Sequence, residues 1–318
     1  MNGEFVRWED AKVPLLSNAL HYGSGVFEGA RCYETADGRP AVFRLHDHIA
    51  RLERSARLCK IRMEYSREQI TEATKELVRR NRIKSCYIRP LVFCGYGSMG
   101  FAPEECEIET SVSCWPWDAF LGKDALAKGV TAKTSPWRRI SSSCLPMQAK
   151  GTGQYANSIA AKRDAKESGV DEAVMLNDQG FVAEGPAENI FGVKNGALYT
   201  PPLSTGILEG LTRASIIDIA KSSGIRTHEQ AFLRDFLYLC DEVFFCGTAA
   251  EITPVTKIDG ISIGSGERGP VTRMLQDRFF DIVRGKDARF GHWLSYVETE
   301  DADEEGIRKA KAIVATQA

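Results

Sequence analysis

Residues 86–103 read CYIRPLVFCGYGSMGFAP, and the fold turns on whether a helix begins after the glycines. The first nine, CYIRPLVFC, are rich in aromatic and β-branched residues and predict a strand. GYGSMG at 95–100 then satisfies G-x-G-x-x-G, the spacing with which a dinucleotide-binding loop leaves a strand. Such a loop works only if a helix begins at once, because the helix N-terminus must hold the pyrophosphate. Phe101, Ala102 and Pro103 lead instead into a second β-type run over 106–115, so the segment reads as strand, glycine-rich loop, strand. In a chain with 28 glycines a chance match is expected, and a nicotinamide-dependent oxidoreductase is set aside.

Outward from this segment, strand patterns alternate with helical ones. VFEGARCYET (26–35) and PAVFR (40–44) read as strands, and Leu45, Ile49, Leu52 and Ala56 recur at helical spacing. Ser66 opens a second helix, with Gln69 completing a capping box and Ile70, Ala73 and Leu77 as its expected core face. PWDAFLGKDALAK (116–128) carries a proline, a glycine and few β-branched residues and reads as an interdomain connection. Beyond it, a helix runs from near Tyr155 to Gly169, followed by a strand (DEAVML) and a turn at 177–180. FGV and ALYT flank Lys194, Asn195 and Gly196 as a hairpin. Helices fit 211–223, 232–239 and 270–284, and strands fit 243–246 and 252–258. The fold class is therefore α/β, of mixed α+β character. Its expected parts are a small N-terminal domain (1–116), an interdomain loop (117–128), a larger domain (129–298) and a tail (299–318) with no assigned role.

Composition agrees with two domains, since 318 residues at 43% hydrophobic content can bury a full core. The balance of 41 basic against 43 acidic residues provides no long-range field for nucleic acid or an anionic membrane, which leaves small molecules as the expected partners. No run approaches 18 apolar residues, and the first residues lack the apolar stretch of a signal peptide, so the cytoplasm is the expected address. Nine cysteines stand singly, without a CxxC, and read as reduced, mostly buried thiols. The closest histidines, His46 and His48, diverge on a helix and read as decorating its start; no metal site is expected.

HYGSGVFEGARCY (21–33) closely resembles the fold-type IV pyridoxal-phosphate enzymes, and among them the branched-chain amino-acid aminotransferases. Agreement continues in order through HDHIARL (46–52), CYIRP (86–90), MQAKGTGQYANS (147–158), AEGPAENIF (183–191), ILEGLTR (207–213) and CGTAAEITPV (246–255). The resemblance implies a two-domain fold-type IV architecture with pyridoxal 5'-phosphate between the domains, in a pocket completed by a neighbouring subunit. A homodimer is then the minimum unit. The implied reaction is reversible amino transfer between L-leucine, L-isoleucine or L-valine and 2-oxoglutarate. D-amino-acid aminotransferases, (R)-amine transaminases and aminodeoxychorismate lyases share the same fold; Tyr87-Ile88-Arg89 with HYGSGVFEGAR favours the branched-chain group.

By the same resemblance each residue takes an expected place. Lys150 binds the cofactor covalently and moves the substrate proton, with Gly151 and Gly153 beside it leaving room for the ring. Glu184 keeps the pyridine nitrogen protonated, while Glu188 is assigned a structural role. Arg51, the Gly210-Leu211-Thr212 segment and Thr248 hold the phosphate, and Tyr155 meets the ring's 3-oxygen. Tyr22, Phe27, Met99 and Trp117 form an apolar wall. Tyr87 and the backbone of Thr248 and Ala249 face the α-carboxylate, and Arg89 meets the side-chain charge of glutamate. Phe120 stands in the interdomain loop where the best-known bacterial relatives carry tyrosine, and Phe101 is larger than the aliphatic residue usual there.

Overall fold

The structure is a computed structural model that describes residues 1–117, 121–122 and 124–298. Phe120 and the 299–318 tail, both marked in the sequence, lie outside the described residues. The chain begins with a short helix α1 (Asn18–Tyr22) and strands β1 (Gly25–Phe27), β2 (Ala30–Glu34) and β3 (Pro40–Phe43). Helices α2 (Leu45–Leu58) and α3 (Arg67–Asn81) come next, then β4 (Cys86–Cys94) and β5 (Ile108–Trp115). In this antiparallel sheet β4 lies between β5 on one side and, end to end, β1 and β2 on the other; β3 pairs with β2.

The single strand expected over 26–35 is divided at Glu28 and Gly29, and the cause is on its neighbour. Glu28 N–H donates to the Pro90 carbonyl at 2.8 Å, and Pro90 has no N–H to return the bond. Side chains still alternate across the division. Val26, Glu28, Ala30 and Cys32 face α2, whereas Phe27, Gly29, Arg31 and Tyr33 face the other half of the molecule. On α2 the predicted stripe of Leu45, Ile49, Leu52 and Ala56 is buried, joined by His48, Arg51 and Ser55. The capping box of Ser66 and Gln69 forms, but the buried face of α3 is Ile70, Thr71, Thr74 and Val78 rather than Ile70, Ala73 and Leu77. Threonine is tolerated there because Thr74 Oγ1 donates back to the Ile70 carbonyl at 2.7 Å.

The rest of the chain builds a second sheet. Its elements are α4 (Ala125–Lys128), β6 (Val130–Thr134), α5 (Tyr155–Glu167), β7 (Glu172–Val174), β8 (Asn189–Lys194), β9 (Ala197–Thr200) and α6 (Leu211–Ser222). Then come β10 (Thr227–Glu229), α7 (Arg234–Tyr238), β11 (Glu242–Gly247), β12 (Glu251–Ile258), β13 (Ile261–Ser262), α8 (Pro270–Val283) and β14 (Leu294–Tyr296). Strand order is β10-β9-β8-β11-β12-β6-β7, with β13 added to β12. The β8–β9 hairpin turns through Asn195 and Gly196 at φ 51° and 72°, as the Asn-Gly pair predicts. β14 leaves this half and pairs with β3 in the first sheet. One apolar cluster accordingly spans both sheets, packing Ala41 and Phe43 with Phe191, Phe244, Phe279 and Trp293.

Candidate active site

The sequence-marked residues Arg51, Lys150, Tyr155, Glu184, Gly210 and Thr248, distant in sequence, line one cavity. Lys150 reaches it from a rigid backbone. Its N–H donates to Ser55 Oγ at 3.0 Å, and its carbonyl accepts from Phe27 N–H at 3.0 Å. The Nζ atom sits 5.2 Å from the centroid of the Phe27 ring and 5.5 Å from that of Tyr155. Gly153 makes a close approach to backbone. Gly153 packs on Gly23, where a Cβ would stand 2.6 Å from Gly153 Cα, and Thr152 Oγ1 donates to the Gly23 carbonyl at 2.7 Å. Backbone lies on backbone, which seats the lysine segment on the 23–25 turn.

Part of the cavity is an anion site. Arg51 is 4% exposed, and Glu28 accepts from its Nε at 2.6 Å and its Nη2 at 2.9 Å, while its Nη1 donates to the Glu209 carbonyl at 2.8 Å. Next to it α6 begins at Gly210 without a side-chain cap, so the N–H groups of Leu211 and Thr212 belong to an open helix N-terminus. A forked guanidinium beside such a terminus suits a phosphate. Glu28 also accepts from His48 Nδ1 at 2.7 Å. Burial pushes the Glu28 carboxyl up, but Arg51 and His48 outweigh it and hold the acid well below the carboxylate range. His48 is thus a buried partner of Glu28, not a decoration of the helix start.

Glu184, 4% exposed, lines the same cavity. Its carboxylate accepts from Asn189 Nδ2 at 3.0 Å and from Leu208 N–H at 3.2 Å. Arg139 Nε stands 2.8 Å away as an ion partner. Burial raises its pKa and Arg139 works against that rise. A buried carboxylate, an amine and an anion site thus share one cavity. Residues 25–258 match the amino-transferase class IV family.

The chain belongs to the class IV aminotransferases.

This aminotransferase is 44% identical over 297 residues to the branched-chain-amino-acid aminotransferase of Escherichia coli K12, covering 93% of this chain and 96% of that one. It is 39% identical over 298 residues to a probable branched-chain-amino-acid aminotransferase of Aquifex aeolicus, covering 93% and 95%. Among solved structures it resembles the Escherichia coli branched-chain enzyme at a TM-score of 0.91 and 43% identity, over 93% of this chain and 98% of that chain. It also resembles the branched-chain enzyme of Thermobaculum terrenum in its PLP form at a TM-score of 0.88 and 36% identity, over 94% and 97%.

Phe27, Tyr87, Arg89, Trp117 and Ala249 are not among the residues that line this cavity; Arg89 lies among aromatic rings, of which Phe27 is the one beside Lys150. Its guanidinium carbon is 4.6 Å from the Phe27 centroid and 5.3 Å from that of Tyr87, and Nη2 donates to the Tyr87 hydroxyl at 3.4 Å. Its buried Nε finds no hydrogen-bond partner among the described residues. The Tyr87 ring centroid is 5.0 Å from that of Trp117, and Thr248 and Ala249 stand half-buried in the turn before β12. Tyr22 and Met99 do not line the cavity within one chain. Tyr22 is 45% exposed with its ring 5.2 Å from that of Phe101, and Met99 is exposed.

Several residues of this site escape sequence reasoning. Glu28 was detectable in principle, since period-two alternation points it away from Phe27 and toward α2. Arg139 and Asn189 carry no local signal. Glu188, assigned a structural role, lines the cavity; burial first, then the charge of Glu172, push its acid up to about 8. Ala187 N–H donates to its Oε2 at 3.1 Å, and its Oε1 has no partner among the described residues. Burial and the neighbouring charge favour its uncharged form.

Proposed function

We propose that the protein catalyses reversible transfer of an amino group between L-leucine, L-isoleucine or L-valine and 2-oxoglutarate, with pyridoxal 5'-phosphate held on Lys150. The observation that carries this reading is one cavity that brings together the anion site at Arg51, the buried carboxylate of Glu184 and the Lys150 amine. An anion site and a buried carboxylate match a phosphate and a protonated pyridine nitrogen, so the donor set fits the cofactor. Relatives at 44% identity are branched-chain enzymes, which supports the substrate class.

When bound, the cofactor supplies the electron sink that weakens bonds at the substrate α-carbon. The chain's own residues do the rest. Arg51, Thr248 and the N–H groups of Leu211 and Thr212 anchor the phosphate, and Glu184 favours the proton on the ring nitrogen. Tyr155, which lines the cavity, would offer its hydroxyl to the ring's 3-oxygen. Lys150 would hold the cofactor covalently, and its Nζ, once free, would be the base that takes the proton from the substrate α-carbon. Tyr87 and the backbone of Thr248 and Ala249 receive the α-carboxylate. Phe27 and Trp117 give an aliphatic side chain an apolar surface, and the unpartnered Nε of Arg89 offers a site for the second carboxylate of glutamate.

The reading extends to a homodimer in the cytoplasm, acting on amino acids and 2-oxo acids, with the chain divided at 117–128. Exposed Leu15, Leu16, Leu20, Tyr22 and Phe101 offer a second copy an apolar surface beside the site. Nine free thiols suit a reducing compartment. The test is the visible absorbance of the purified holoenzyme on adding L-leucine without any oxo acid. Loss of the lysine-bound band with gain of the pyridoxamine form is expected. Conversion by D-alanine or an (R)-amine but not leucine overturns the substrate assignment.

A further inference from the structure

The connection between β11 and β12 ends on a residue that backbone preference disfavours. Gly247 pairs with Glu251, so Thr248, Ala249 and Ala250 form a three-residue turn, and Glu251 closes it at φ 53°. Glycine is the residue favoured at such a left-handed position in a three-residue hairpin. A glutamate there is held by its side chain, because a strained backbone persists only where its surroundings over-determine it. The Glu251 side chain is buried, and its Oε1 accepts from the Tyr33 hydroxyl at 3.0 Å and stands 3.5 Å from Arg31 Nη1. Tyr33 and Arg31 are alternate residues of β2, on the face that carries Phe27. Arg31 lies opposite Tyr87 in the β2–β4 register, and its Nη2 donates to the Trp117 carbonyl at 3.5 Å.

One carboxylate thus ties the 248–250 turn to the strand pair bearing Tyr87 and, through Arg31, to the backbone at Trp117. The turn has donors to offer: Thr248 lines the cavity, and the N–H groups of Thr248 and Ala249 find no acceptor among the described residues. We propose that Glu251 is a positioning residue for substrate binding, its ion pair with Arg31 holding the 248–250 turn so that these N–H groups meet the α-carboxylate. The inference rests on the amino-acid substrate proposed above. It adds a side chain that touches neither cofactor nor substrate yet sets where the substrate's carboxylate sits.

Glu251→Gly separates this role from simple bracing, because glycine accepts the left-handed backbone while the tether is lost. With purified holoenzymes, E251G is expected to keep the cofactor's visible spectrum and to change kcat little. Its KM for L-leucine should rise on the order of tenfold, as should the Kd of isovalerate, which has the carboxylate but no amino group. E251Q, which keeps a partner for the Tyr33 hydroxyl but not the charge, should fall between the two. It also serves as the test protein if E251G does not fold. A variant with lowered melting temperature but unaltered KM and isovalerate affinity overturns the positioning role and leaves a structural brace. A wild-type enzyme that converts no amino acid overturns the substrate reading and this inference together, so the two failures are distinguishable.

Discussion

Replacing Glu28 by glutamine tests whether a buried counter-charge, and not apolar packing, holds Arg51 at the anion site. The wild-type carboxylate has no solvent exposure and meets Arg51 Nε at 2.6 Å, Arg51 Nη2 at 2.9 Å and His48 Nδ1 at 2.7 Å. Glutamine fills the same volume, so no cavity opens; what disappears is the negative charge beside a guanidinium that is itself 4% exposed. Breaking one side of a buried ion pair costs about 3–5 kcal/mol. The amide oxygen still accepts from Arg51, and its NH₂ can donate to His48 after a tautomer change, so the cost falls near the lower end, about 3 kcal/mol. Bound phosphate returns a negative charge to Arg51, and the holoenzyme should therefore lose roughly half as much. Urea unfolding of apo and holo forms of both proteins at pH 7.5 measures this directly. The pH sign is also set. Glu28 is depressed in the folded state, so its contribution is present above the ordinary carboxylate pKa and lost as pH falls below it. The gap between wild type and variant should be full at neutral pH and shrink below about pH 4. An apo-form loss under about 1 kcal/mol, or equal losses with and without cofactor, would refute the reasoning.

Glu188→Gln should remove a pH dependence. The folded protein keeps a proton on Glu188 up to about pH 8 that the unfolded chain releases near the ordinary carboxylate value, so wild-type apoprotein loses stability as pH rises through that window. The variant should be more stable at pH 8.5 by roughly 2–4 kcal/mol and equal at pH 4.5, and parallel melting profiles against pH would contradict this. Gly210→Ala keeps an acceptable backbone, φ being −71°, but places its Cβ 1.9 Å from Asn189 Oδ1. Moving Asn189 takes its amide off Glu184 and the Leu208 carbonyl, and cofactor affinity should weaken on the order of tenfold by equilibrium titration, whereas an unchanged Kd would remove Asn189 from the account.

How much was legible in the sequence depended on the range of the interaction that decides each feature. The capping box at Ser66, the Asn195-Gly196 turn and the stripe on α2 depend on neighbours within four residues, and they form as read. The division of the 26–35 strand depends on Pro90, more than fifty residues away, and no local pattern announces it. The face of α3 turned by one position because two threonines could be buried where an apolar stripe was sought. The cavity residues were reached through resemblance, since spacing alone cannot bring Arg51, Lys150 and Glu184 together. Arg139 remained invisible for a physical reason: its neighbour Arg138 is exposed, and nothing in an adjacent basic pair says which member is buried against a carboxylate 45 residues on.

Arg51 and Glu251 are linked through the strand β1–β2. Its even residues point to α2, where Glu28 reaches from behind to clamp Arg51; its odd residues point the opposite way, where Phe27 stacks near Lys150, Arg31 reaches Glu251 and Tyr33 donates to it. Gly29 leaves room between them for the Tyr87 hydroxyl, which stands 1.9 Å from where a Cβ would sit. A slip of one residue would exchange these faces, sending Glu28 into the cavity and Phe27 into α2. The ladder to β4 prevents it, because Phe27 is paired with Leu91 and Ala30 with Ile88 on either side of Pro90. The Arg51 anion site and the proposed substrate-positioning contacts of Glu251 therefore share a single register, and the missing hydrogen bond at Pro90 lies between two segments that both enforce it.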